Sequence, residues 1–194
     1  MTHRCEGQIL VRSTMYRLRR ALFPQCVTYR DGRYQLTLGN CLWYDSSEFV
    51  QLLDEADKTD LAHDKRIQLY ERAIALHQGQ FLEEVYSEWV TPHREEMEMR
   101  FLNALTRLAK LRALDGALQE ATDLLRKAVA ADPFQEEAHR GIIQYTALMG
   151  DRVAALKHYR SYVELLRDEL DATPAPNILE LADRIAHGRS VPTP

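Results

Sequence analysis

Val11, Met15, Leu18 and Leu22 stand at i, i+4, i+7 and i+11, the stripe that one face of a 3.6-residue helix requires. This spacing predicts a helix from about Gln8 to Leu22, stopped by Pro24. The period then changes. Residues 26–29 and 33–38 are short runs rich in β-branched and aromatic side chains, and they flank Asp31-Gly32, a dipeptide suited to a tight hairpin turn. The first segment is expected to be a helix followed by a β-hairpin.

Beyond Asn40 the apolar pattern is helical throughout. Asp45-Ser-Ser-Glu48 has the form of a capping box and opens a helix through Phe49, Leu52, Leu53 and Ala56. A second helix is expected from about Ala62 to His77, with Ile67, Tyr70, Ala73 and Ile74 facing inward and Gly79 as its stop. Residues 80–90 read as a connector. Thr91-Pro92 then reads as an N-cap with proline in the first helical position, opening the longest helix, which runs to about Asp115. Tyr70, Phe81, Tyr86, Trp89, Tyr145 and Tyr159 are expected to pack between helices, Trp89 as a buried anchor.

The chain repeats itself after that point. Gly116-Ala-Leu-Gln-Glu-Ala121 and Gly150-Asp-Arg-Val-Ala-Ala155 lie 34 residues apart, and in the same register Leu125 aligns with Tyr159, Ala128 with Tyr162 and Val129 with Val163. A 34-residue period with small residues where paired helices meet is the tetratricopeptide (TPR) signature. Asp132-Pro133 restarts a capped helix between the copies, and a looser third copy covers residues 62–95. The match breaks near Leu170 at the loop Asp171 to Pro176. A last helix is expected over Asn177 to Ala186, and residues 189–194 read as a tail or linker.

Charge adds an asymmetry that the net value of −4 conceals. Residues 1–36 hold seven arginines against Glu6 and Asp31, a balance of +5, which leaves −9 on the rest. A basic head on an acidic body suits a segment that faces nucleic acid. With 45% apolar residues the chain is that of an ordinary globular protein. No stretch approaches the roughly 18 apolar residues of a membrane span, and the N-terminus lacks a secretory core, so the expected location is the cytoplasm with no membrane partner. Cys5, Cys26 and Cys41 are odd in number and far apart, and they read as reduced, partly buried thiols.

Catalytic patterns are missing. The eight glycines form no phosphate cradle, the seven histidines form no HExxH or HxH pair, and no serine sits in a GxSxG elbow. Neighbouring glutamates such as Glu95 and Glu96 do not face one another on a helix. The expectation is a protein that is not an enzyme and uses no cofactor and no metal.

The chemistry that is present is basic. Removing the apolar stripe leaves Arg12, Ser13, Tyr16, Arg17, Arg19 and Arg20 on the outer surface of the first helix. A guanidinium donates two parallel hydrogen bonds to phosphate or to a guanine edge, and a helix fits the major groove of B-DNA. Arg30 and Arg33 flank the hairpin tip, where a wing would reach phosphates or the minor groove. The order of elements matches a recognition helix plus wing. A basic helix that merely packs on the acidic body is the bland alternative.

Val11 to Leu22, together with Tyr29 to Leu36, resembles the end of a response-regulator-type (OmpR/PhoB-like) winged helix, with the wing reading Gly32-Arg33-Tyr34-Gln35-Leu36 and one residue inserted. The chain beyond Asn40 is similar to the bacterial transcriptional activator domain (BTAD) of SARP-type antibiotic regulatory proteins. The residues that carry this likeness are Asp45 to Phe49, Leu76 to Leu82, Glu88-Trp89, Ala131 to Glu136 with His139-Arg140, Gly150-Asp151 to Tyr159, and Glu169-Leu170 before Pro174. Together the two resemblances cover residues 9–186. They imply a mainly α fold, a TPR-like helical-repeat domain preceded by a partial winged helix. The division implied is 1–40 for a truncated, C-terminal part of the winged helix, 41–188 for the BTAD, and 189–194 for the tail. They also imply a transcriptional regulator, an activator, that binds promoter DNA and uses its helical domain to form a homodimer and to contact the transcription machinery. Carried over by position, Arg12, Thr14, Tyr16, Arg17 and Arg20 face DNA from the helix, and Arg30 and Arg33 from the wing. The alternative of a different class is a TPR-like interaction adaptor that binds no DNA.

Overall fold

The computed structural model describes residues 3–37 and 43–194, and side-chain surroundings within the first segment from Val11 onward. Leu38, Cys41 and the expected boundary at 40/41 lie outside the described residues. The chain divides into two compact units, residues 1–44 and 45–194. As expected, it is mainly helical, with one small two-stranded sheet among the described residues.

Unit 1 holds α1 (His3–Ala21), β1 (Val27–Arg30) and β2 (Arg33–Leu36). The helix begins earlier than its apolar stripe indicates. The strands pair antiparallel with Val27 opposite Leu36 and Arg30 opposite Arg33, which leaves Asp31-Gly32 as a two-residue loop. Both loop residues have positive φ, 51° and 78°, the conformation that makes Asp-Gly the favoured hairpin turn. Among the described residues of this unit, Cys26 and Val27 are buried, beneath the end of α1.

Unit 2 is a run of seven helices: α2 (Asp45–Ala56), α3 (His63–Leu76), α4 (Val90–Leu114), α5 (Leu118–Ala131), α6 (Glu136–Leu148), α7 (Arg152–Leu170) and α8 (Pro176–Ala186). Its apolar core passes along the series in three clusters, one each among α2–α3–α4, α4–α5–α6 and α6–α7–α8. Each helix therefore packs mainly on its sequence neighbours, the organisation of a helical solenoid. The two clear repeats are the hairpins α5–α6 and α7–α8. Ala121 and Ala155, 34 residues apart, are both fully buried where helices meet. Gly116 and Gly150 both take positive φ, 81° and 93°, just after a helix. The next amide in each case reaches back to the last turn, Ala117 to the Arg112 carbonyl at 2.9 Å and Asp151 to the Thr146 carbonyl at 3.2 Å. The repeat thus recurs down to its helix stops.

Several local expectations are corrected. Gly79 does not stop α3, which ends at Leu76 with His77 already extended. Thr91 does not cap α4, because that helix starts at Val90 with Trp89 ahead of it, and Pro92 sits inside the first turn, where its missing amide costs nothing. Asp132 does not cap α6. It ends α5, and its carboxylate accepts from the Phe134 amide at 2.9 Å, folding the turn before Glu136. Residues 189–194 lie back on the helices: Val191 packs on the third cluster and Gln144 donates to the Pro192 carbonyl at 2.9 Å. No described helix is long and apolar enough to cross a membrane.

Candidate nucleic-acid interface

Helix α1 carries two distinct faces. At about 100° per residue, Arg12, Tyr16 and Arg20 form one row, with Ser13 and Arg17 beside it. Tyr16 is 66% exposed, and Arg12, Arg17 and Arg20 are exposed too. Thr14 stands at the far edge of this face, about 40° from Leu18. The opposite stripe is only partly covered: Met15 and Leu18 are half-buried, whereas Val11 and Leu22 are 40% and 52% exposed.

Arg19 departs from expectation. It stands at the margin between the outer face and the apolar stripe, and its guanidinium donates from Nε and Nη2 to the Val27 carbonyl at 3.2 and 2.7 Å. This fork ties the end of α1 to the first residue of the hairpin. The Cys26 carbonyl accepts from the Thr37 amide at 2.6 Å, closing the base of the hairpin. Cys26 itself is fully buried, a packed thiol.

The hairpin projects its arginines from a stiffened base. Tyr29 and Tyr34 are cross-strand partners whose ring centroids lie 4.7 Å apart. One step nearer the tip, Arg30 and Arg33 are paired directly across the strands. Like charges in that position repel, and the repulsion is relieved when an anion binds between or beside them. Arg12, Arg17, Arg20, Arg30 and Arg33 are all exposed, and none makes a hydrogen bond or ion pair among the described residues. The structure therefore presents three of the expected arginines on one helical face and two at the hairpin tip. Thr14, also exposed, stands at the edge of that face. The apolar pattern alone does not single out the tyrosine pair, although the two-residue loop places Tyr29 opposite Tyr34 once the turn is recognised.

In unit 2 the aromatic expectation divides. Tyr70 and Tyr145 are buried, and Phe81 and Tyr159 half-buried. Tyr86 and Trp89 are not buried: they are 95% and 58% exposed, and Trp89 meets only the edge of the His93 ring among described aromatic contacts, with centroids 6.2 Å apart. The connector that carries them is held from below by Arg94, which donates to the carbonyls of Phe81 at 2.7 Å, Leu82, and Val85 at 2.9 Å. These bonds fasten the backbone and leave the side chains of Tyr86 and Trp89 outside. Beside Arg94 and along α4 runs an open groove of about 600 Å³.

A helical-repeat body of the tetratricopeptide kind, carrying a basic helix and hairpin as a separate unit, defines the class of the protein. The family profile described as Bacterial transcriptional activator domain matches residues 44–186, and the chain belongs to that family. Among solved structures the chain is similar to Mycobacterium tuberculosis EmbR in complex with low affinity phosphopeptide, with a TM-score of 0.80 at 18% identity over 96% of this chain and 51% of that one. The chain thus spans about half the length of that solved chain, and the likeness is one of fold. No curated protein matches the sequence.

Proposed function

We propose that the protein is a SARP-type transcriptional regulator, an activator, that works by binding and recruitment without catalysis. In this reading the basic helix and hairpin of unit 1 are the recognition helix and wing of a winged helix. The helical-repeat body, residues 41–188, supports dimerisation and contact with the transcription machinery, and the place of action is the cytoplasm. Promoter DNA is held by Arg12, Tyr16, Arg17 and Arg20 from the helix, with Thr14 at its margin, and by Arg30 and Arg33 from the wing. Most of these contacts go to phosphates, which position a protein on the duplex without specifying sequence.

The observation that carries this reading is the set of five exposed arginines, without a partner among the described residues, on a helix and the hairpin directly after it. Membership of unit 2 in the activator-domain family supports the same conclusion.

The test is fluorescence anisotropy of a duplex containing direct repeats, titrated with the full-length protein at several salt concentrations. Affinity is expected to fall steeply with salt, with a slope of about −0.9 per phosphate contacted. Arg17→Ala with Arg20→Ala is expected to lower the slope by about two units and weaken binding more than tenfold. Binding that is weak and unchanged in the double variant would leave the helical-repeat adaptor as the better account.

A further inference from the structure

We infer that the groove beside α4 is a docking site for an extended, basic peptide segment of a partner protein, one that alternates lysine or arginine with an aliphatic residue. The inference rests on reading unit 2 as a protein-binding module and names the chemistry of its partner. The groove has a volume of about 600 Å³ and lies between the first half of α4 and the turn joining α5 to α6. That volume is in the range of sites that enclose a few residues of a ligand.

Its lining has three parts with distinct uses. Met99, 56% exposed, and Leu102 offer an apolar floor, and a methionine on such a surface adapts to differently shaped aliphatic side chains. Gln80, Asn103 and Gln135 contribute amide side chains that carry no hydrogen bond among the described residues, suited to the backbone of an extended peptide. Glu95, Glu98 and Asp132 contribute negative charge.

Charge decides the sign of the occupant. Arg94 is the sole cation among the lining residues, and its guanidinium is spent on three connector carbonyls, so it builds the wall instead of neutralising the carboxylates. Glu95 has no partner among the described residues, and Glu98 has only His77, at 3.7 Å. On the adjoining connector Glu83, Glu84 and Glu88 are exposed and unpaired among the described residues. An acidic segment would be repelled here, and a purely apolar one would leave the carboxylates without a counter-charge. A basic segment with aliphatic residues between its charges satisfies floor, amides and carboxylates together.

The probe is a fluorescein-labelled decapeptide alternating leucine with lysine and arginine, together with its glutamate-substituted counterpart, titrated by anisotropy with the full chain at physiological salt. The basic peptide is expected to bind and the acidic one not. Glu95→Lys with Glu98→Lys should weaken binding at least tenfold, and Met99→Ser severalfold, with unchanged circular dichroism. Glu164→Lys with Glu169→Lys makes the same change of charge on α7 and should leave binding within twofold. An equal loss in both double variants means attraction to the acidic body as a whole and overturns the groove, as does the absence of binding. DNA anisotropy on the same samples separates the two readings: DNA bound and peptide ignored sinks the groove alone and leaves the regulator standing.

Discussion

His139 on α6 and His158 on α7 meet across the seam between the two clear repeats, with Nδ1 of His139 3.0 Å from Nε2 of His158. His139 Nε2 is also 2.9 Å from the Pro133 carbonyl, which can only accept. Nε2 of His139 therefore carries its proton, Nδ1 accepts, and His158 Nε2 donates. The ring of Tyr162 stacks on His139 with centroids 3.9 Å apart. Nδ1 of His139 can accept only while that imidazole is neutral. Burial lowers the pKa of each, and His158 is held down to about 4, with His139 and Arg126 adding to the effect of burial.

A pH dependence of stability results. The unfolded chain takes up a proton on His158 near 6.5, whereas the folded chain resists it until about 4. The unfolded state binds more protons in that window, so stability is fully present above pH 6.5 and is lost as the pH falls towards 4. At 1.36 kcal/mol per pH unit, His158 alone removes about 2 kcal/mol by pH 5. Urea midpoints at pH 7.5 and 5.0 read this directly. His158→Gln keeps a donor towards His139 without a titrating group, and should show a clearly smaller difference between the two midpoints. Equal differences in wild type and variant would mean that the acid sensitivity lies elsewhere.

Gly141 marks a close approach of α6 to Leu125 on α5. A Cβ at this position would lie 2.4 Å from Cδ1 of Leu125, which is itself 2% exposed. Gly141→Ala should gain up to about 1 kcal/mol in helix propensity. It should lose about 1–3 kcal/mol to overpacking, because Leu125 has nowhere to retreat. We expect a net loss of about 1 kcal/mol, read as a lower thermal midpoint. A raised midpoint would show that Leu125 repacks freely.

The fold is legible in the sequence wherever the signal is local or repeated. Asp31-Gly32 and its flanking runs define the hairpin register, and Gly116 and Gly150, 34 residues apart, mark equivalent helix stops. Residues 80–90 have no period to read. Whether Tyr86 and Trp89 turn inward depends on where Arg94, one turn into the next helix, fastens the connector backbone, and that is a tertiary matter. Arg19 escapes the pattern for a related reason. It stands about 40° from Met15 on the helical wheel, at the margin between the two faces. Only the return of the hairpin, which brings the Val27 carbonyl beneath it, decides which face it joins. The five outward arginines are legible because nothing among the described residues competes for them.

Arg94 should be irreplaceable by lysine. Its planar fork serves three carbonyls, among them that of Leu82, which holds a positive φ of 50° unusual for a branched side chain. A lysine ammonium reaches fewer of these acceptors and cannot spread across them. Arg94→Lys is expected to leave the helical signal by circular dichroism nearly unchanged while making residues 80–90 the first site of limited proteolysis. Protection equal to wild type would mean that the connector is held by its side chains after all.

The arginines of α1 should separate into two kinds. Arg19 holds a carbonyl with two charged hydrogen bonds in a half-buried position, an arrangement worth about 1–2 kcal/mol after allowance for solvent. Among the described residues of unit 1 only Cys26 and Val27 are buried, so this loss falls on a small set of contacts. Arg19→Ala is therefore expected to speed hydrogen exchange at the Thr37 amide, which closes the hairpin onto Cys26, by roughly tenfold. Arg17→Ala with Arg20→Ala removes two exposed cations, unpaired among the described residues, and should leave the same amide unaffected, since surface changes of this kind stay within about 0.5 kcal/mol. DNA affinity should show the reverse pattern at a temperature where unit 1 stays folded, with the double variant losing more than Arg19→Ala. If the double variant speeds exchange as much as Arg19→Ala does, those arginines support the fold and the outward face is not a binding surface.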